Sequence, residues 1–571
     1  RRGGSGRLFR SAPDGDGRVK RPDRLAATRL VATWWLPSVI ACAIGALYVC
    51  YSVAQWRALA APSWDLGIFT EAVQTYSRFE APIVPIKGPG YNLLGDHFHP
   101  LLALLGPIFR LFPSALTLLV VQDVLIAVSV LPVACLAQRL LGRGGAFLVG
   151  LAYGLGWGLQ GVVAAQFHEV CLAVPLLAFG GVAFVERRWG ACMAWLVPLV
   201  LVKEDLGLTV FVAGLAMAWR RRGHGRPGVL CSLAYALFGI IAFVLTVKVL
   251  LPAVNPAGTW AYSLDGSATG AGTSSGGTTA ARSLPSVWGI LTDPPVKLVT
   301  LLVAAAGAGL AGTSSPWFAL AAPTLAWRFA GSVDTYYVWD SWHYNAVLVP
   351  IAACALLDVM SRWITRGHEA RSADSNLGKS RADEGTARDG GDDPAAPASR
   401  TRCDGVDVAD AAGLEGGRAG THTLDEADPG GDGTVSSSKV SWRRAAWVAA
   451  LVPTVSLALT WTSLPLSQLP SLHESPRMSA AEEAIAAVPE GVSVETDTTL
   501  LARLVPRREV YWVGTTQAME EPPQYVVIDD RSYAWGAASV DAQSWAATAH
   551  PGHTYETVYS KQGFRVARRT S

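Results

Sequence analysis

The amino-acid sequence predicts an all-α polytopic membrane domain of about eleven transmembrane helices, followed by a small C-terminal α/β domain. Half of the 571 residues are hydrophobic and only 16% are charged, whereas soluble domains carry about 25% charged residues. The charges are concentrated near the N-terminus, in a central segment and in the C-terminal region. Apolar runs of membrane-spanning length lie between these blocks and set the fold class.

Net charge and cysteine usage exclude several classes of function. The formal net charge is +2, so no global attraction to nucleic acid is expected and we predict no nucleic-acid partner. Seven of the eight cysteines lie in or beside apolar runs, and Cys403 lies in the central segment. None has the spacing of a zinc site, and the C-terminal region has no cysteine. Neither a disulfide framework nor a zinc knuckle is therefore predicted.

The first elements are a basic segment, 1–29, and a retained first helix. Basic residues in short loops mark the cytoplasmic side of a membrane, so we place this segment in the cytoplasm. No small-residue cleavage site closes the first apolar run, which argues against a signal peptide. The topology then alternates along the chain. The apolar runs interpreted as spans are 30–54, 114–136, 146–164, 170–185, 189–202, 206–219, 229–251, 296–311, 316–330, 344–361 and 445–464.

The later elements complete the domain organisation. The multi-span domain is bounded at 30–365, with the two short runs on either side of "KED" forming a hairpin entered from the cytoplasmic side. Residues 366–442 are rich in Gly, Asp, Ala and Ser, a composition that predicts a disordered cytoplasmic linker. A last span, bounded at 443–465, carries an extracytoplasmic domain, 466–571. We therefore expect a multi-pass protein of the plasma membrane, surrounded by the lipid bilayer.

The C-terminal region has the pattern of a small open sheet. The strand-like segments "GVSVET", "EVYWV" and "YVVIDD" alternate with the helix-like segments "MSAAEEAIAAV" and "TLLARLV". Asp529 and Asp530 end a strand, where ligands often bind in such sheets, although a carboxylate pair in a loop without a ligand is the favoured interpretation. No glycine-rich phosphate loop is present, so no nucleotide site is indicated.

The predicted topology places the unusual polar motifs on the extracytoplasmic side. Ionisable residues at membrane depth are energetically costly and often mark function. The candidate site residues on this side are Asp65, Asp96, His97, His99, His168, Glu169, Lys203, Glu204, Asp205, His343 and Tyr344.

Two motifs of the first outer loop have alternative interpretations. Asp65 in "SWDLGIF" begins a helical pattern, where it either caps the helix or acts as a general base or ligand. The histidines of "GDHFHP" project to one side of an extended segment and would contact a metal, a phosphate or lipid headgroups. Further metal ligands would come from "FHE". The candidate metal ligands are Asp65, His97, His99, His168 and Glu169. Alternatively, these are interfacial polar residues without a functional role.

Three adjacent charges in "VKEDLG" need water or a polar cavity, because apolar segments flank them. Lys203 would neutralise one carboxylate and leave the other as a base or cation ligand; the alternative is an ordinary exposed turn. "SWHYN" adds His343 and Tyr344 before another span. Asp123 lies within a predicted span, and Gln122 beside it indicates an internal polar contact.

In this order and within these spans, "WDLGIF", "GDHFHP", "FHE", "KED" and "HY" resemble the motifs of a bacterial family of predicted membrane proteins, domain of unknown function 2079. That family is grouped with the GT-C-type, polyprenyl-phosphate-dependent glycosyltransferases, and the resemblance covers about residues 40–360. It implies a GT-C-like fold and transfer of a hexose or pentose from a polyprenyl-phosphate-linked sugar donor to an envelope glycan, lipid or protein. The long linker and Asp123 depart from the family pattern.

The resemblance also implies roles for the motif residues. Asp65 would activate the acceptor, and Glu204 and Asp205 would be further catalytic carboxylates. Substrate contacts, with a divalent metal ion as a candidate cofactor, would come from Asp96, His97, His99, His168, Glu169, Lys203, His343 and Tyr344. Such chemistry needs a base for the incoming hydroxyl and hydrogen-bond donors or positive charge for the leaving phosphate.

Two other classes of protein remain open. A transporter or flippase of a lipid-linked or small polar substrate would also place ionisable groups in a cavity. Transporters usually hold them near mid-membrane between repeated halves, and the sequence shows no internal repeat. A non-catalytic envelope scaffold would leave the polar motifs without an explanation.

Overall fold

The computed structural model describes residues 24–60, 64–223, 225–255, 258, 292–331, 333–388, 442–517, 519–536 and 539–571. The chain forms two compact units. The first comprises Arg1–Trp363 together with Ala446–Ser571, and the second is Ile364–Ala445. The candidate site and the C-terminal domain both belong to the first unit.

Helices dominate the part of the chain that precedes the C-terminal domain. The first eleven are α1 (Arg24–Arg57), α2 (Trp64–Ser77), α3 (Gly106–Leu111), α4 (Ala115–Leu141), α5 (Arg143–Gly154), α6 (Trp157–Ala164), α7 (Ala173–Val185), α8 (Trp189–Leu196), α9 (Leu206–Arg221), α10 (Arg226–Leu245) and α11 (Leu251–Val254). Further described helices are Val296–Gly307, Ala322–Ala330, Leu348–Arg388 and Trp442–Thr460.

Six helices among the described residues are long and apolar enough to cross a membrane: Trp34–Arg57, Ala115–Leu141, Arg143–Ala164, Arg226–Val254, His343–Glu369 and Trp442–Ser463. Shorter apolar helices are Pro100–Leu111, Glu169–Val185, Trp189–Leu201 and Val296–Gly307. The several apolar helices agree with the predicted membrane domain, but the predicted count of about eleven spans is not confirmed. Several predicted spans are divided into shorter helices, because a proline begins a new 3-10 helix within the apolar run, as at Pro198 and Pro316.

The core behind the site is made by the first apolar helices. α4 packs against α1, α5 and α7. The Tyr48 hydroxyl of α1 donates to the carbonyl oxygen of Gly154 at 2.7 Å, where α5 ends. A side chain at Gly154 would collide with Ile44, so glycine permits this close approach of α5 to α1. The buried core therefore fixes the segment that runs from α5 through α6 towards the "FHE" motif.

The helix that begins at Leu348 is longer than the sequence indicated. It runs to Arg388, into the segment predicted to be a disordered linker from residue 366. The part of this stretch up to Arg388 is rich in Ala and Arg and has no proline, which suits a helix. The remainder of the predicted linker, 389–441, lies outside the described residues.

The C-terminal domain contains a five-stranded sheet in the order β2-β1-β3-β5-β4. The strands are β1 (Ser493–Thr496), β2 (Glu509–Trp512), β3 (Tyr525–Asp529), β4 (Tyr555–Lys561) and β5 (Phe564–Arg569). The first three pair in parallel, and β5 and β4 add an antiparallel hairpin. Its helices are Met478–Ala486, Leu501–Leu504 and Ala542–Ala549. The predicted small sheet domain is present.

The C-terminal domain packs directly on the helix that carries Asp65. The rings of Trp64 and Trp512 meet edge to face at 4.8 Å, and the Gln74 amide donates to the carbonyl oxygen of Pro506 at 3.0 Å. The Arg503 guanidinium lies 3.7 Å from the ring centre of Trp56. Since aromatic contacts and hydrogen bonds join both ends of α2 to this domain, the sheet domain fixes the position of α2.

Candidate functional site

Asp65 lies in the first turn of α2 and is partly open to the surroundings. Its Oδ2 atom lies 3.3 Å from Nε2 of His168, and 42% of its side chain is exposed against 3% for the histidine. Burial tends to raise the pKa of Asp65, but the hydrogen bond and charge of His168 outweigh it and the pKa is lowered. The carboxylate is therefore ionised near neutral pH and accessible.

The backbone around His168 is held by Gln122 of α4. The amide oxygen of Gln122 accepts from the His168 N–H at 3.1 Å, and its Nε2 donates to the carbonyl oxygens of Val162 and Gln166 at 3.2 and 3.1 Å. Gln166 has a φ of +71°, a conformation that costs energy in a residue other than glycine. The internal polar contact expected for Gln122 thus holds a strained turn in place.

His168 faces acceptors at both ring nitrogens. Nδ1 lies 3.2 Å from the carbonyl oxygen of Gln166, while Nε2 faces the Asp65 carboxylate. A carbonyl and a carboxylate only accept hydrogen bonds, so both bonds form together only when the ring carries two N–H groups. Both ring nitrogens of His168 are therefore engaged within the cluster.

His343 and Tyr344 extend the cluster on the other face of the His168 ring. The His168 and His343 rings stack at 3.7 Å with an interplanar angle of 21°, and the Tyr344 ring centre lies 4.0 Å from that of His343. Trp342, just before them, is exposed and has a φ of +61°. The structure therefore brings "WDLGIF", "FHE" and "HY" together.

Lys203 joins the "KED" motif to the "FHE" motif. Its Nζ atom donates to Oε1 of Glu169 at 2.7 Å, and both side chains are buried. Burial lowers the pKa of Lys203, but the charges of Glu169, Glu204 and Asp205 outweigh this effect and raise it well above its ordinary value. Lys203 thus neutralises the carboxylate of another motif, whereas the sequence suggested one of its own neighbours.

Glu204 joins "KED" to "GDHFHP". Oε1 lies 2.7 Å from Nδ1 of His97, and Oε2 accepts from the Phe98 N–H at 3.0 Å. Burial raises the pKa of Glu204, but His97 outweighs it and the pKa is lowered. The reciprocal attraction of Glu204 raises the pKa of His97 against the effect of burial. Both oxygens of Glu204 are engaged, so it fits a positioning role better than that of a base.

Asp205 differs from its neighbour. Oδ1 of Asp205 is buried without a hydrogen-bond partner among the described residues. Burial raises the pKa of Asp205 to about 6. A carboxyl group with this raised pKa suits exchange of a proton near neutral pH.

The two histidines of "GDHFHP" do not act as a pair. The segment turns at Asp96 and His97, so the expected extended geometry is absent. His99 is buried, with its ring 5.7 Å from that of Phe69, and burial lowers its pKa to about 4, which leaves it neutral. Asp96 forms an ion pair with Lys87 within the loop. His97 and His99 therefore face different surroundings.

Sequence reasoning missed Arg328 and Asn345. Arg328 is only 1% exposed and donates to the carbonyl oxygens of Tyr336 and Tyr344 and to Oδ1 of Asn345, at 2.8, 3.1 and 3.0 Å. No carboxylate of the described residues lies within 4 Å of it. A buried charge without a counter-ion is costly, and a lone arginine in the apolar run 316–330 was the signal that could have identified it.

No preformed metal site is visible in the part of the chain that the structure describes. There, no three His, Cys, Asp or Glu side chains are grouped so that they could hold a metal ion. The predicted ligands instead bond to one another, as in the Asp65–His168 pair. The divalent metal ion remains a prediction.

Comparisons with known proteins identify a family. The model of the family described as "Predicted membrane protein (DUF2079)" matches residues 56–374, more than half of the chain. One matching solved structure is the crystal structure of ArnT from Cupriavidus metallidurans bound to undecaprenyl phosphate. It has a TM-score of 0.40 and 12% sequence identity, over 91% of this chain and 97% of that chain. No curated protein matches the chain.

Proposed function

The chain belongs to the DUF2079 family of predicted membrane proteins, and from this premise we propose that its polar cluster is the active site of a membrane glycosyltransferase. The donor we propose is a polyprenyl-phosphate-linked sugar, and the acceptor is a hydroxyl group of an envelope glycan, lipid or protein. One observation carries the proposal: an ionised, accessible Asp65 lies against a buried His168 at the edge of the membrane domain.

Asp65 is proposed to be the general base. The acceptor hydroxyl donates its proton to the Asp65 carboxylate while the hydroxyl oxygen attacks the anomeric carbon of the donor. The bond between that carbon and the phosphate oxygen breaks, and its electrons leave with polyprenyl phosphate. His168 orients the carboxylate, and Gln122 orients His168. Positioning of this kind contributes to rate because the reacting atoms start in the productive geometry.

The leaving phosphate needs positive charge or hydrogen-bond donors. Arg328 supports this part of the proposal, because its guanidinium lacks a carboxylate partner among the described residues and donates to the backbone of Tyr344. Lys203 contributes less, since Glu169 already neutralises it. We therefore propose that the positive charge of Arg328 stabilises the leaving phosphate electrostatically. The "HY" motif lies between Arg328 and Asp65.

Purified full-length protein in liposomes tests the proposed class of reaction. Polyprenyl-phosphate hexoses and pentoses, labelled in the sugar, are offered together with envelope extracts. The proposal predicts release of polyprenyl phosphate together with label in the acceptor fraction for at least one donor. If every donor stays intact in liposomes whose protein is folded by circular dichroism, the glycosyltransferase proposal is contradicted.

A transporter or flippase is the second candidate, because one observation favours it. Asp123 of α4 is fully buried within a candidate span, with the Ser52 hydroxyl beside its carboxylate. Ionisable groups within spans often belong to ion pathways. Movement of labelled lipid-linked sugar between the leaflets of sealed liposomes, abolished by Asp123→Asn and without sugar transfer, would establish this function instead.

A further inference from the structure

A second cleft lies at the opposite end of α2 from Asp65. It has a volume of about 450 Å³ and is lined by Gln74, Ser77, Arg78, Arg110 and Pro506 among others. Arg78 lies thirteen positions after Asp65 along a mostly helical chain, roughly 20 Å at the rise of an α-helix. The cleft is therefore distinct from the site described above and shares none of its residues.

The cleft carries two positive charges that nothing in the described structure neutralises. Arg78 and Arg110 are both exposed, and no carboxylate of the described residues lies within 4 Å of either guanidinium. Lys87 of the same loop, by contrast, is paired with Asp96. Two like charges that line one cleft repel each other, so the arrangement is more favourable when an anion lies between them.

Exposed apolar residues follow both arginines of the cleft along the chain. Phe79 is 89% exposed, and Leu111 and Phe112 are also largely exposed. These side chains lie next to the two arginines in sequence, and Phe79 is held outward by a backbone φ of +63°. Left-handed backbone at a residue other than glycine is strained, and here it presents an aromatic ring away from the protein.

The cleft lies close in the chain to the start of a candidate membrane span. Pro100–Leu111 is an apolar helix, and the span Ala115–Leu141 begins four residues after it. The N-terminal end of this span is thus close in the chain to Leu111 and Phe112, and α2 leads to Phe79. At the end of a span, aromatic and aliphatic side chains enter the boundary between headgroups and acyl chains. Arg110 lies five residues before this span along the chain.

We propose that the cleft between Arg78 and Arg110 binds the phosphate of an anionic membrane lipid, in the leaflet that adjoins the C-terminal domain. Guanidinium groups bind phosphate oxygens in a bidentate fashion. The lipid chains lie along Phe79, Leu111 and Phe112, a rim that a free phosphate would not need. The inference does not depend on the proposed glycosyl transfer.

Titration of the full-length protein with phosphatidylglycerol, in micelles of a non-ionic detergent, tests the proposal. Binding is followed by native mass spectrometry for the wild type and for Arg78→Gln/Arg110→Gln. We expect the double variant to bind phosphatidylglycerol about thirtyfold more weakly, because two arginine contacts at a lipid surface are lost and each is worth about 1 kcal/mol. The matched control Arg531→Gln/Arg568→Gln removes two exposed arginines of the C-terminal domain and should keep the wild-type affinity.

Two further arms identify the ligand. Phosphatidylcholine should bind at least tenfold more weakly than phosphatidylglycerol. The variant Phe79→Ser/Leu111→Ser, which keeps both arginines, should bind phosphatidylglycerol more weakly than the wild type. A double arginine variant that binds phosphatidylglycerol as the wild type does overturns the proposal. Inorganic phosphate that competes with phosphatidylglycerol at equal concentration also overturns it, because the site would then recognise phosphate and not a lipid.

Discussion

At the scale of single residues, the site depends on side chains that position other residues through hydrogen bonds. Asp65 is held by His168, and the backbone of His168 is held by Gln122, which is fully buried in α4. Gln122 makes three hydrogen bonds to the 162–168 segment. Removing the side-chain amide leaves buried backbone groups unpaired, at a cost of about 1–3 kcal/mol for each group.

Replacing Gln122 with leucine is expected to lower turnover by about tenfold and to lower the melting temperature. The strained turn at Gln166 then loses the support that orients His168. The measurement is sugar transfer per folded molecule, with folding followed by circular dichroism. Gln138→Leu in the same helix is the matched control, because the Gln138 amide oxygen has no partner among the described residues. Equal turnover in the two variants would contradict a positioning role for Gln122.

Asp205 gives a prediction about pH. Its pKa in the folded protein is raised to about 6, above the ordinary value of about 3.9 in an unfolded chain. The folded state therefore holds this proton more strongly, so the contribution of Asp205 to stability is complete below about pH 4 and is lost as the pH rises through about 6. Asp205→Asn should raise the melting temperature by a few degrees at pH 8 and leave it unchanged at pH 4.

Thermal unfolding in detergent across this pH range, for wild type and Asp205→Asn, makes the comparison. Glu80→Asn, at an exposed carboxylate of the first loop, serves as the control and should show no such pH-dependent gain. A gain for Asp205→Asn that is largest at pH 4 would contradict the assigned shift.

The sequence predicted which motifs carry the polar residues but not which residues bond to each other. Lys203 was expected to neutralise a neighbouring carboxylate, yet it pairs with Glu169. Such pairs depend on how the "KED" turn packs against "FHE", which residue spacing does not encode. Arg328 was missed because one arginine in an apolar run gives no indication of its partners.

At the scale of elements, α2 is held from both sides. Its first turn faces His168, and its outer surface packs on the C-terminal domain through Trp64 and Trp512. The pair lies one residue from Asp65, so the sheet domain bears directly on the position of the proposed base. We infer that this domain is part of the catalytic assembly, whereas the sequence assigned it no role.

Trp512→Ala is expected to reduce turnover by about tenfold, because α2 loses the ring that fixes Trp64. The measurement is the turnover and KM of sugar transfer, with a fall in turnover expected in particular. Tyr533→Ala is the matched control, since this exposed aromatic residue of the same domain lies away from α2. If both variants retain wild-type turnover, the domain does not act through α2.

Elements with a clear sequence pattern were predicted, and elements with a weak pattern were not. Strands β1, β2 and β3 and the helix Met478–Ala486 were predicted from apolar patterns and composition. The hairpin β4–β5 was not predicted, because β4 is mostly polar and exposed. The number of spans is not confirmed, since apolar runs of about 14 residues do not show whether a helix crosses the bilayer.

At the scale of the whole molecule, the packing of α2 on the C-terminal domain requires the first loop and that domain to lie on one side of the membrane. In a variant without its eight cysteines, a membrane-impermeant maleimide should label Glu80→Cys and Tyr533→Cys in intact cells. Gly190→Cys, in an open position on the predicted cytoplasmic side, should react only after permeabilisation. The reverse labelling pattern would contradict the predicted orientation, and different labelling of Glu80→Cys and Tyr533→Cys would contradict the packing.

The central claim is that the Asp65 carboxylate is the base of a glycosyl transfer, and one comparison tests it most directly. Sugar transfer from a labelled polyprenyl-phosphate donor is measured in liposomes that contain wild type, Asp65→Asn or the control Glu80→Gln. Loss of a general base costs about 10²–10⁴-fold in rate. The account predicts a loss of at least 10²-fold for Asp65→Asn, with the KM little changed and with wild-type rates for Glu80→Gln. Transfer by Asp65→Asn at the wild-type rate would contradict it.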